Sequence, residues 1–225
     1  MRRRFISNKN ESNNIIRYTS TDGNVVVPYV IDFGAPLISN TYTDKGLMVF
    51  KSNVTSIGDH AFSDCLSLTS IQIPNSVTSI GDGAFTYCES LASIVVDGGN
   101  TIYDSRNGCN AIIEITSNTL IAGCKNTIIP DGVTSIGDRA FNGCSGLSSI
   151  EIPNSVTSIG DRVFYGCSSL SSVYVKPKTP PTLGSYSFDK NAPDLKIYVP
   201  RASLNAYKTA SGWRDYASAI VPYDY

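Results

Sequence analysis

Apolar residues along most of this chain come in short alternating runs separated by polar turns. Ile71 and Ile73 flank Gln72, and Val77 and Ile80 flank Thr78-Ser79. That alternation suits extended chain with one face turned inward. Pro74 and Pro153 close their strands, because proline has no N–H to give to a ladder. Ala61-Phe62 is too short for a full helix and supports a single helical or 3₁₀ turn, opened by Asp59.

The pattern repeats. Val54-Thr-Ser-Ile57-Gly-Asp59 returns at Val77, Val133 and Val156; two of the steps are 23 residues, and the middle step of 56 is one unit of 23 plus one of 33. Each full unit continues with Ala-Phe or Val-Phe, then Cys, Leu and a final alternating apolar strand, which is Ile-x-Ile-Pro at 71–74 and 150–153. Such a unit cannot bury its apolar side alone, so successive units must stack, Ile on Ile and Phe on Phe. Strands ending at Lys51, Pro74, Asp97, Pro130, Pro153, Lys176 and Pro200 make seven rungs. At about 4.8 Å per strand they span roughly 30 Å.

This spacing and these residues resemble leucine-rich repeats of the BspA type. The match is close from Val54 to Val96 and from Thr127 to Val175, with weaker echoes at Met48-Val-Phe50-Lys51 and Ile197-Tyr-Val-Pro200. The resemblance implies a β-dominated α/β fold, a leucine-rich repeat solenoid of about seven rungs. It also implies a non-catalytic binding or adhesion module, since proteins of this type are typically surface or secreted proteins that contact host matrix proteins or other cells. The expected division is an N-terminal β cap over 1–46, the solenoid over 47–200 and a C-terminal helical cap over 201–225.

The middle unit departs from the pattern. Ile102-Tyr-Asp104 stands where Ile-Gly-Asp should be, and no Ala-Phe follows. Within the insertion, about 104–126, Ala111-Ile-Ile-Glu114 and Thr119-Leu-Ile-Ala122 read as a β-hairpin turning at Ser117-Asn118. A flap over the place of the missing helical turn is the favoured role; a binding loop is the other. The stretch from Asn8 to Asn14 is rich in Asn and Ser and makes the start a candidate for disorder; Ile15-Ile-Arg-Tyr18 and Val25-Val-Val27 follow as extended runs. At the far end, Ser203 to Ala210 predicts a short helix stopped at Gly212, with Trp213, Tyr216 and Ile220 at helical spacing behind it. A cap is the favoured role there, and an aromatic platform for sugars the alternative.

Composition narrows the chemistry. The 225 residues carry a formal net charge of -1 and only 16% charged residues, against about 25% in an ordinary soluble domain. That excludes a basic nucleic-acid surface, while 41% hydrophobic residues can fill a sizeable core. No run approaches the roughly twenty apolar residues of a membrane span. One His and two Met give no basis for a metal or haem centre, so no cofactor is expected. Cys65, Cys88, Cys144 and Cys167 occupy one place in their units and read as an inward ladder of free thiols. Cys109 and Cys124 flank the hairpin; free thiols are favoured there too, with a disulfide as the alternative, because the register sets them diagonal rather than opposite. Asp59, Asp82, Asp138 and Asp161 form a second column, read as caps accepting N–H groups at the start of each turn rather than as calcium ligands. The sole histidine, His60, leaves no triad to build, and neither a nucleophile elbow nor a phosphate loop is present. No enzyme is expected.

If Ile71 and Ile73 point inward, Gln72 points out, and its equivalents are Val49, Val95, Ile128, Glu151, Tyr174 and Tyr198. Neighbouring outward rows are uniform Ser and Thr, which accounts for the scarcity of charge. The row from Val49 to Tyr198 varies where its neighbours do not, and it is the candidate face for a protein or glycan partner, host matrix or another cell surface among them. A scaffold or spacer in a larger surface or phage-like assembly is the alternative, and the oligomeric state is left open. Met1-Arg-Arg-Arg4 resembles the basic start of a signal peptide, but Phe5-Ile6 gives way to polar residues where an apolar stretch of about 7 to 15 residues should follow. An extracellular or cell-surface location is therefore expected from the resemblance alone, with a cytoplasmic or particle-associated one as the alternative.

Overall fold

The computed structural model describes residues 12–29 and 32–224. The basic start at Met1 and the Asn-rich stretch up to Glu11 lie outside the described residues. In chain order the strands are β1 (Ile15–Ser20), β2 (Leu37–Tyr42), β3 (Gly46–Phe50), β4 (Ser56–Ile57), β5 (Leu68–Ile73), β6 (Ser79–Ile80), β7 (Ser93–Val96), β8 (Tyr103–Asp104) and β9 (Ala111–Glu114). The second half continues with β10 (Thr119–Gly123), β11 (Ser135–Ile136), β12 (Ser149–Ile152), β13 (Ser158–Ile159), β14 (Ser172–Val175), β15 (Thr182–Leu183), β16 (Lys196–Pro200), the helix α1 (Leu204–Thr209) and β17 (Ile220–Tyr223). They form a β-dominated solenoid, and no helix among the described residues is long and apolar enough to cross a membrane.

A 23-residue period puts like on like. On the first face β5 pairs in parallel with β7, Ile71 opposite Ile94, and β12, β14 and β16 align Ile150, Val173 and Ile197. On the second face the two-residue Ser-Ile strands pair in the same way, β4 with β6 and β11 with β13. The third row is the Ala-Phe turn. Within it the Ser63 N–H donates to the His60 carbonyl at 2.9 Å, the three-residue spacing of a 3₁₀ turn. Between units, Phe62 donates to Ala84 and Phe141 to Val163, so the turns form a ladder of their own. Their rings stack inside: Phe62 on Phe85 with centroids 5.5 Å apart, then Phe141, Phe164 and Phe188 at 5.2 and 5.3 Å. Offset stacking of this kind adds about 0.5–1.5 kcal/mol per pair to the burial itself.

The ladder thiols are buried as the spacing predicts, and all six cysteines are free, Cys109 and Cys124 included. Cys88 donates to the Phe62 carbonyl and Cys167 to the Phe141 carbonyl, each from the next unit. The Asp column works differently from the capping expected of it. Three of the four carboxylates accept the N–H of the next unit rather than of their own turn: Asp59 from Asp82 at 2.9 Å, Asp138 from Asp161 at 2.8 Å and Asp161 from Ser185 at 2.7 Å. The column ties rungs together because the turn N–H groups are directed along the stack.

The middle unit interrupts this order. Its hairpin, β9 with β10, joins the second face, where β10 pairs in parallel with β11 and β9 runs antiparallel to β8. It is an internal wall rather than the surface flap or loop its sequence suggests. Ile112 packs into the N-terminal core while Ala111, Ile113 and Leu120 pack into the C-terminal one. With no Ala-Phe turn in this unit, the turn of Asp82 to Tyr87 meets that of Asp138 to Gly143 directly. One ladder bond survives there, Tyr87 N–H to the Asn142 carbonyl at 3.0 Å. The Asp82 carboxylate pairs with the Arg139 guanidinium across the gap. Gly143 sits under the Tyr87 ring, and a Cβ there would collide with it.

Both ends hold departures from the simple stack. At the N-terminus β1 inserts antiparallel between β3 and β5, so Ile15 faces Val49 and Arg17 faces Gln72. The strand through Val49 therefore pairs with the cap and not with the strand through Gln72. Val25 to Val27 forms no strand, although Val26 is buried and its N–H donates to the Tyr18 hydroxyl at 3.3 Å. At the C-terminus α1 and a 3₁₀ turn over Trp213–Tyr216 cover the open core, with Tyr207 and Trp213 fully buried. Ile220 does not continue a helix. It opens β17, which pairs in parallel with β16, because its side chain fills the same inward column as Ile197.

Candidate functional site

The outward row is not one continuous surface. Val49 is half-buried beside Ile15 and Ser39 in the cap sheet. Gln72 and Val95 are register partners and share a shallow groove with Arg17 and Lys45. The Gln72 amide donates to the Asp97 carboxylate. Ile128 stands apart: residues 127–130 form no strand, and the Ile128 N–H reaches the Cys109 carbonyl, leaving the side chain 75% exposed. The insertion takes the place of a rung here, since the Ser105 hydroxyl accepts the Val96 N–H.

Glu151, Tyr174 and Tyr198 do come together. They lie on β12, β14 and β16 as successive register partners. The Tyr174 and Tyr198 rings stack with centroids 4.7 Å apart and planes 10° from parallel. This is the strand repeat expressed in side chains, since paired strands are spaced by nearly the same distance. Glu151 holds the Lys176 ammonium at 2.7 Å.

A third ring completes the cluster. Tyr223, on β17, sets its ring edge-on to both, 5.5 Å from Tyr174 and 5.7 Å from Tyr198 at 74° and 72°. It is an arrangement that aromatic quadrupoles favour. Sequence reasoning missed Tyr223 by assigning its segment to a helical cap. The period does find its strand, because Ile220 follows Ile197 by 23 residues; it sets Val221 beside Tyr198 and Tyr223 beside Pro200. Beside Tyr223 opens a groove of about 570 Å³ lined also by Asn154, Lys176, Lys178, Arg201 and Asp224. Arg201 grips Asp224 through two nitrogens, at 3.0 and 2.9 Å, and this pairing holds the exposed carboxyl below its ordinary range.

Among the described residues no group of three His, Cys, Asp or Glu side chains could hold a metal ion. The cysteine thiols are pushed up by burial, Cys65 to about 11 and Cys144 to about 12, which suppresses the thiolate a nucleophile would need.

Six copies of the BspA type leucine-rich repeat region match residues 46–124 and 120–209. Among solved structures, the pneumococcal vaccine antigen PcpA aligns with 19% identity over 67% of this chain and 44% of its own, with a TM-score of 0.52. A leucine-rich cell surface protein from Faecalibacterium prausnitzii aligns with 24% identity over 75% of this chain and 56% of its own, TM-score 0.46. A leucine-rich repeat protein from Eubacterium ventriosum aligns with 25% identity over 75% and 52%, TM-score 0.45. The chain thus spans about half the length of these structures. No curated protein sequence matches it. With repeat copies matched over most of its length, and with their ladders visible in the fold, the chain belongs to the BspA-type leucine-rich repeat family.

Proposed function

We propose that the chain is a non-catalytic binding module of a bacterial cell surface, which engages a protein or glycan partner through the C-terminal end of its strand face. The observation that carries this reading is the ring cluster of Tyr174, Tyr198 and Tyr223. Tyrosine presents a large, rigid contact area with a polar tip at low entropic cost, and it is enriched at interfaces for that reason. The repeat frame around it varies little, so the cluster is where this copy of the frame departs from its neighbours. The surface location rests on the family.

The test is capture from a panel of host matrix proteins and cell-surface glycans. The double variant Tyr174→Ala/Tyr198→Ala should lose capture of whichever partner the native chain retains, with a melting temperature close to native. Undiminished capture by the double variant overturns the proposal.

A further inference from the structure

The groove beside Tyr223 is more specific than the ring cluster alone. It runs on into a second depression of about 470 Å³ lined by Val156, Thr157, Thr179 and the prolines Pro177, Pro180 and Pro181, and the two share Asn154 and Lys178. Its proline wall is fixed from within. The Tyr207 hydroxyl donates to the Pro177 carbonyl at 2.6 Å and the Trp213 indole N–H to the Pro181 carbonyl at 2.7 Å, both from fully buried rings. A wall already held in place loses little freedom on binding.

The lining is cationic on balance: Lys176, Lys178 and Arg201 stand against one lining carboxylate, Asp224, which Arg201 holds, while Lys176 is paired with Glu151 of the strand face. Both pairs are open to solvent, where an ion pair is worth little and exchanges readily for another anion. Lys178 is exposed at the junction of the two depressions and makes no ion pair among the described residues. A path about two cavities long, with cations spaced along it and a tyrosine ring at one end, complements an extended chain of negative charges carried on flat or ring-shaped units.

An added peptide strand fits less well. The outer edge here is β17, and Pro222 within it has no N–H to offer a new strand. Recognition must then go through side chains rather than a backbone ladder.

We infer that this groove binds an anionic polysaccharide, with carboxylate or sulfate groups at Lys178, Lys176 and Arg201 and a sugar ring against Tyr223. The inference rests on the tyrosine cluster being the binding face. The experiment uses the full chain, immobilised, with dextran sulfate and polygalacturonate as probes and with neutral dextran and polyglutamate as comparators. Both anionic polysaccharides should bind and dextran should not. Raising salt from low to high should weaken binding by about tenfold or more, since exposed charges are screened. Lys178→Glu should weaken it by about tenfold or more with the melting temperature unchanged, since Lys178 has no ion pair among the described residues to lose.

Equal binding of dextran and dextran sulfate overturns the inference, as does full binding by the charge-reversed variant. Polyglutamate binding as tightly as polygalacturonate overturns the saccharide assignment in favour of an acidic peptide. If no polyanion binds while a partner is still captured in a Tyr174- and Tyr198-dependent way, this inference fails and the broader reading stands; if capture is also independent of the tyrosines, both fail.

Discussion

Asp138 accepts the backbone N–H of Asp161 at 2.8 Å, one unit further along, whereas Asp82 faces the Arg139 side chain across a gap of 57 residues in sequence. The two carboxylates occupy the same place in their repeats and yet differ in what they hold. One satisfies a main-chain donor; the other makes a partly exposed ion pair.

Their loss should therefore differ in size. Asp138→Ala should destabilise the chain by about 1–2 kcal/mol, as removal of a capping carboxylate does. Arg139→Ala should cost about 0.5 kcal/mol, because both side chains of that pair are well solvated. Urea denaturation of the two variants checks the order, and a larger loss for Arg139→Ala contradicts it.

The two hydrophobic clusters predict a local response to a core cavity. Phe164 is fully buried between Phe141 and Phe188 in the C-terminal cluster. Phe164→Ala should cost about 3–5 kcal/mol there. Hydrogen exchange should show protection lost from β11 to β17 and largely kept from β1 to β7. Uniform loss through the molecule would show that the hairpin does not partition the core.

The hairpin itself tolerates no added bulk at Gly123, where a Cβ would run into the Phe141 ring. Gly123→Ala should destabilise by about 1–3 kcal/mol through overpacking. The double variant Gly123→Ala/Phe141→Leu should recover part of that loss in thermal denaturation; no recovery points to a backbone cause.

Buried thiols make the fold sensitive to alkali. Unfolded thiols ionise near 9.0, whereas burial raises Cys65 to about 11 and Cys144 to about 12 and holds Cys88 and Cys167 well above the unfolded value. A pKa raised by folding contributes stability that is fully present below the unfolded pKa and lost as pH climbs through the folded one. The melting temperature should stay level from about pH 6 to about pH 8.5 and then fall steadily to about pH 12. Replacing Cys88 by Ala should flatten that fall, and an unchanged slope would assign it to other groups. Native thiols should also resist a thiol reagent near neutral pH until the chain is unfolded.

Much of this molecule can be read from its repeat. A 23-residue period placed Ile on Ile, Phe on Phe and the thiols inward, because a stacked fold converts spacing along the chain into neighbours in space. Alignment of the Val173-Tyr-Val and Ile197-Tyr-Val strands also sets Tyr174 beside Tyr198, across a unit of 24 residues. What it does not carry is pairing between unlike segments. Nothing in Ile15-Ile-Arg-Tyr18 names Met48 or Ile71 as partners, so the insertion of β1 between β3 and β5 was hidden. Half-periodic signals were missed for another reason. His60, Arg139, Arg162 and Tyr186 share one column of positive φ with Gly83, and only the glycine advertises it. Tyr223 was misplaced because helical and rung spacing compete over so short a segment, and tertiary packing against Ile197 decided the matter.

The partition of the core by the hairpin also bears on how the molecule responds to force. Stacked units part from the ends, each exposing only its neighbour. Ile112 belongs to one core and Ile113, the next residue, to the other, so a break travelling inward from either end reaches a wall whose far side is still fully packed. A chain under tension should yield in two separate events, keeping half its length folded after the first.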